Sequence, residues 1–127
     1  TLLPATGVSF VLIGSNPGAI SYTNYSNTVT QFSAPSSGPT ANILFWQGCS
    51  ASGTAPANTM AGGSTLALTG GIYMPCGALN VSNNIRLNAA TGATMRVVAQ
   101  TIYAAGSAQI NAAAQAVAGA AQVALVQ

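Results

Sequence analysis

Two cysteines, four tyrosines, two arginines and a scatter of serines and threonines are the only side chains in this 127-residue chain that could do covalent or ionic chemistry. It contains no Asp, Glu, His or Lys. General acid and base catalysis near neutral pH relies on His, carboxylates or Lys. Sites for divalent metals need carboxylates, imidazoles or paired thiolates. The hydroxyls and thiols that remain have no base or orienting carboxylate to activate them. The chain therefore reads as no enzyme, with no catalytic residue, no metal site and no cofactor.

The charge of +2 comes from Arg86 and Arg96 alone. Nucleic-acid affinity comes from many phosphate contacts, which two arginines do not supply, so a nucleic-acid partner is excluded. An ordinary soluble domain carries roughly a quarter charged residues. A chain with only 2% charged residues lacks the repulsion that keeps molecules apart. It also has little to titrate, so its stability is expected to change little with pH. Both properties suit a protein that associates with copies of itself outside the cell.

The elements that position these residues are short strands that recur. Gly71-Ile72-Tyr73-Met74-Pro75-Cys76 and its continuation to Asn84 are echoed by Thr101-Ile102-Tyr103-Ala104-Ala105-Gly106, about thirty residues on. On that step Ile72 maps to Ile102, and Asn80 and Val81 map to Gln109 and Ile110. Asn42-Ile43-Leu44-Phe45-Trp46-Gln47 is an earlier copy of the first strand, while Leu68, Val97 and Val126 are evenly spaced. A period between about twenty and fifty residues points to a solenoid, propeller or array. Three strands with small-residue corners and no space for a helix fit one rung of a parallel β-helix. The expected fold is all-β, a single-domain β-solenoid over 1–127 with rungs of about thirty residues. An ordinary β-sandwich is the alternative. The expected rung core is Ile43, Phe45, Leu66, Leu68, Ile72, Val81, Val97, Ile102, Ile110 and Leu125. Trp46, Tyr73 and Tyr103 are the candidates for surface contact, with Tyr73 stacked on Tyr103 in a ladder.

Cys49 and Cys76 each follow an aromatic strand in neighbouring rungs. Stacking of those rungs would bring the pair within disulfide reach, and in an exported protein a bridge is expected. Two buried free thiols are the alternative.

Residues 1–31 fit the repeat poorly and residues 32–127 form the rungs. The apolar strand Val8 to Ile13, with Val8, Phe10, Val11, Leu12 and Ile13, is either a cap on the first rung or an assembly strand exchanged with the next subunit. Thr28 to Phe32 alternates as a half-buried strand. Phe32 to Pro39 is a loop, because two prolines and a glycine deny it ladder bonds. Gly48 to Gly63 is expected to be a loop leaving the solenoid. Asn83, Asn84, Asn88 and Asn111 read as corner residues rather than ligand contacts. Asn24-Tyr25-Ser26 and Asn80-Val81-Ser82 match a glycosylation tripeptide that is common by chance. In the Ala-rich tail, alanine favours helix, but Gly119 and the alternation around Val123 and Leu125 favour a last strand at 122–127. The apolar runs are too short or too interrupted for a transmembrane segment. The chain opens at Thr1 without a charged leader, as expected of a mature form whose export signal has been removed.

The order of Ala34-Pro35-Ser36-Ser37-Gly38-Pro39, Ile43 to Gln47, Gly71-Ile72-Tyr73-Met74-Pro75, Asn83-Asn84, Val97-Val98-Ala99 and Ala124 to Gln127 resembles the C-terminal region of TadG-like proteins of the tight-adherence (Flp) pilus assembly system. The resemblance spans roughly residues 30–127. It implies an envelope or extracellular location and a role in surface structure or adhesion. The membrane anchor, upstream domain and charged residues usual in that family are absent here, which suits a free-standing secreted subunit better than assembly machinery.

A short uncharged solenoid with open strand edges is expected to polymerise with itself into an extracellular filament. The alternative is a pilus-associated adhesin, or a carbohydrate- or surface-binding module, using the tyrosines and the 48–63 loop. An ice-binding face would need a regular threonine array that the sequence lacks.

Overall fold

The computed structural model describes residues 5–112, and every regular element in them is a strand. The chain runs through β1 (Ala5–Thr6), β2 (Phe10–Leu12) and β3 (Ser21–Asn24), then β4 (Val29–Ser33), β5 (Ile43–Gln47) and β6 (Asn58–Gly62). The long β7 (Thr65–Asn83) follows, then β8 (Arg86–Ala89), β9 (Met95–Ala104) and β10 (Gln109–Asn111). All the pairings are parallel. Parallel neighbours need a crossover. Here the chain makes it by curling round through other strands, so the sheet wraps on itself as a curled parallel sheet with no helix among the described residues.

Three ladders result. The first stacks β1, β4, the start of β7, β8 and β10. The second stacks β2, β5, the middle of β7 and the start of β9. The third stacks β3, β6, the end of β7 and the end of β9. β7 serves all three because it bends twice. The first bend is at Gly70, where φ is 116° and a Cβ would lie 2.6 Å from the Ala34 Cβ, so only glycine fits. The second lies between Met74 and Ala78, where the register to β9 shifts.

In register, side chains that face the same side stack above one another, and the inward positions make the core. Leu66 and Leu68 on β7 alternate inward, as do Leu79 and Val81 beyond its bends, and all four are buried. Leu44, Met60, Ile72, Met74, Ile85, Leu87 and Met95 complete the fully buried apolar set among the described residues. Leu44 and Phe45 are adjacent yet both buried, which a plain strand forbids; the irregularity in the β5–β7 register at Ile43/Phe45 turns both inward. Phe10 stacks on Phe45 with ring centroids 5.2 Å apart, and Phe32 meets both rings edge-on.

The thirty-residue step does not hold. Ile72 pairs with Val97, and Ile102 pairs with Leu79. Leu68 pairs with Ala89 rather than Val97, and Ile110 with Leu87 rather than Val81. Tyr73 sits opposite Val98 and Tyr103 opposite Asn80, so the tyrosine ladder does not exist. The two Ile-Tyr pairs look alike in sequence but lie on opposite sides of a bend, Ile72-Tyr73 before the second bend of β7 and Ile102-Tyr103 after that of β9. The stretch 48–63 is not one loop either. β6 occupies Asn58–Gly62 within it, because Asn58, Met60 and Ala61 are buried in the third ladder. The boundary placed at residue 31 falls inside β4. Leu125 and the strand expected at 122–127 lie outside the described residues.

Candidate functional site

Two features stand out once the ladders are in place: a braced polar corner and the two end layers of the described stack. The corner is built where β5 ends and β6 begins. Gln47 and Asn58 are both fully buried, and their carboxamides meet, Asn58 Nδ2 donating to Gln47 Oε1 at 2.8 Å. Gln47 Nε2 donates to the carbonyls of Gly18 (2.8 Å) and Pro56 (3.0 Å). Asn58 accepts from the Ile20 N–H at 2.8 Å and donates to the Ala78 carbonyl at 3.1 Å. One pair of amides thus ties together three successive layers, through Gly18 and Ile20 below and Ala78 above. Gly77 leaves room for it, since a Cβ there would collide with Gln47 Oε1. The Cys49–Cys76 disulfide closes the same corner, with Cα atoms 5.4 Å apart. Unpaired buried amides are costly, so this network is stabilising only because every group in it has a partner.

A hydroxyl cluster lies on the adjoining loop, where Ser50, Ser52 and Thr54 hydrogen-bond to one another at 2.9 to 3.1 Å. With Ser15, Asn16 and Pro17 they line an open cavity of about 430 Å³. These hydroxyls bond to one another, and the cavity lining contains no general base. A second groove, about 370 Å³, runs past Asn27, Thr65, Asn84 and Arg86. Among the described residues no group of three metal-ligating side chains occurs. No helix there is long and apolar enough to cross a membrane.

Tyr22 anchors a polar cluster on the third ladder. Burial alone would raise its pKa, but hydrogen bonds with Thr30 (3.3 Å) and Asn24 (3.2 Å) outweigh this and hold it below the usual value.

At the N-terminal end, β1, β2 and β3 each pair with a strand of their own chain on one edge only, among the described residues. Of the apolar residues at 8–13, Phe10 and Val11 are each 39% exposed and Ile13 is 62% exposed, while Val8 and Leu12 are half-buried. At the other end, β9 and β10 are likewise paired on one edge. Ile102 is in register with the buried Leu79, yet it is 45% exposed. Of the expected core, Phe45, Leu66, Leu68, Ile72 and Val81 are buried, whereas Ile43, Val97 and Ile110 are half-buried. Trp46 is half-buried, and Tyr73 and Tyr103 are exposed.

Sequence reasoning missed the Gln47–Asn58 pair. Its signal was a carboxamide ending the apolar run Ile-Leu-Phe-Trp and another opening the Asn-Thr-Met-Ala strand, both beside a proline or glycine corner. Compared with protein-family models, with curated proteins and with solved structures, the chain gives no match.

Proposed function

We propose that this chain is a non-enzymatic structural subunit that works outside the cell or on its surface and assembles with copies of itself into a filament. In this reading the curled sheet is a short β-solenoid, each turn contributing one strand to each of the three ladders. The observation that carries it is the pair of unpaired parallel edges, at both ends of the described stack, with inward-facing apolar residues left half-exposed there. An open edge of this kind is a template for another chain. Near-absence of charge removes the repulsion that would oppose it. The disulfide supports an oxidising compartment, and the resemblance to TadG-like proteins supports a surface role.

A surface- or carbohydrate-binding module is the second reading, favoured by the hydroxyl-lined cavity at 50–54 and the exposed Tyr25, Tyr73 and Tyr103. Light scattering after size exclusion separates the two. Assembly gives a mass that grows with concentration, whereas a binding module elutes as a monomer at every concentration.

A further inference from the structure

The corner between the third and first ladders carries a groove that lies apart from the end layers. The chain turns this corner once per layer, and the turns differ in length. Two residues lie between Gly62 and Thr65 and two between Asn83 and Arg86, whereas four lie between Asn24 and Val29, which share their register. The longer turn therefore bulges outward. Asn24 braces it, its Oδ1 accepting from the Ser26 N–H at 3.0 Å and its Nδ2 donating to Thr28 Oγ1 at 3.1 Å. This bulge, with Asn27 on it, makes one wall of the groove, and Asn84 and Arg86, two layers on, make the other. Gly63 and Thr65 lie in the layer between. A Cβ at Gly63 would stand 3.7 Å from Asn27 Oδ1, so glycine leaves the space beside that carboxamide open.

The volume of about 370 Å³ is on the scale of a small-molecule site, yet the lining is amide, hydroxyl and guanidinium, with Val29 its one large apolar side chain and no aromatic ring. Such a lining suits a hydrophilic ligand. Arg86 selects its charge. The guanidinium has five N–H donors in a planar fork and no acceptor. It is exposed, and the chain contains no Asp or Glu to neutralise it. Its neighbours in register, Thr65 and Gln109, are neutral. A carboxylate brought by a ligand therefore meets no competing side-chain anion, and the fork can take both its oxygens. Asn27 and Asn84 each offer a donor and an acceptor, which matches ring hydroxyls that do both. We propose that this groove binds an acidic sugar, a uronic-acid residue of a polysaccharide, with its carboxylate on Arg86 and its hydroxyls on Asn27, Asn84 and Thr65. The groove opens on the flank of the stack, so the site does not rest on self-assembly.

Equilibrium dialysis of the full chain at low salt against a labelled trisaccharide of glucuronic acid, with the glucose trisaccharide in parallel, tests this. The acidic sugar is expected to bind and the neutral one to stay free. Arg86→Gln keeps an amide donor but loses the charge and the fork, and is expected to weaken binding roughly ten- to a hundredfold. Arg86→Lys, a point charge without the fork, is expected to fall between the two. Position 86 is on the surface, so both variants should keep the parent's urea midpoint. Arg96→Gln, on the second ladder and outside the groove, is expected to bind as the parent does. Equal losses in Arg86→Gln and Arg96→Gln would mean attraction to net charge and overturn the site. A parent that binds neither trisaccharide, or both alike, overturns it too. Inorganic phosphate that displaces the acidic trisaccharide at equal concentration would overturn the assignment to a uronic acid.

Discussion

Replacing Asn58 by Asp turns a chain with almost nothing to titrate into one with a single buried acid, and its effect follows from the corner geometry. The parent's described ionisable side chains are two arginines and four tyrosines, the cysteines being bridged, so its stability should be nearly flat from about pH 3 to 8. At position 58 one side-chain oxygen can still accept from the Ile20 N–H, but the other must face Gln47 Oε1 and the Ala78 carbonyl, both acceptors. Gln47 cannot simply turn its amide round, because its N–H groups already bind Gly18 and Pro56. The site therefore wants an O–H there and holds the proton, so the folded-state pKa lies above the unfolded value of about 3.9. The folded state then binds more protons than the unfolded one, and stability falls as pH rises. Below about pH 4 the acid replaces one of the two donated bonds, at a cost of about 1 kcal/mol. Above that, the loss grows by about 1.4 kcal/mol per pH unit until the folded pKa is reached, about 3 kcal/mol for a shift of two units. Urea midpoints read by Trp46 fluorescence at pH 3, 5 and 7 measure it. Equal midpoints for the variant at pH 3 and pH 7 would refute the assignment of the corner as a dry, fully paired amide network.

Four further outcomes follow from the same structure. Reducing Cys49–Cys76, or replacing both by Ser, should cost about 3.5 kcal/mol by loop entropy for a separation of 27 residues, read as a drop in urea midpoint with and without reductant. Leu87→Ala, at a fully buried position in the first ladder, should cost about 3 kcal/mol in the same assay, whereas Val98→Ala on the exposed side of β9 should cost under about 0.5. Gly62→Ala would drive a Cβ into the Asn24 backbone carbonyl at a φ of 131°, and is expected to abolish soluble folded protein on expression. Because Tyr22 is held below its usual pKa in the fold, its ionisation should add stability as pH climbs towards 10, a gain that Tyr22→Phe removes and that midpoints at pH 8 and 10 would reveal.

The strand content was legible from short Ile, Val and Leu runs between small-residue corners, and so were the alternating inward residues of β7. The disulfide was legible because both cysteines follow an aromatic strand by a similar distance, and the register indeed places Trp46 opposite Tyr73. What the sequence obscured was the step. Phe10 and Phe45 are 35 residues apart in register, but Leu66 and Leu87 only 21, because loops of different length leave the same ladder. Matching Ile72-Tyr73 to Ile102-Tyr103 compared residues on different sides of a bend, where identical dipeptides face different ladders. The bends themselves depend on Gly70 and on the Pro75–Gly77 corner, whose geometry shows only when the third dimension is known. The Gln47–Asn58 pair escaped notice for the same reason. Eleven residues separate them in sequence, and only the curl of the chain brings two isolated carboxamides into one dry corner.

Electron microscopy of the purified chain, in negative stain from acid to alkaline pH, tests the claim of self-assembly most directly. Uniform unbranched filaments at every pH are expected, with a subunit repeat of roughly 19 to 24 Å from four or five strand layers spaced about 4.8 Å apart. Dispersed particles the size of one chain at every pH and concentration would contradict it.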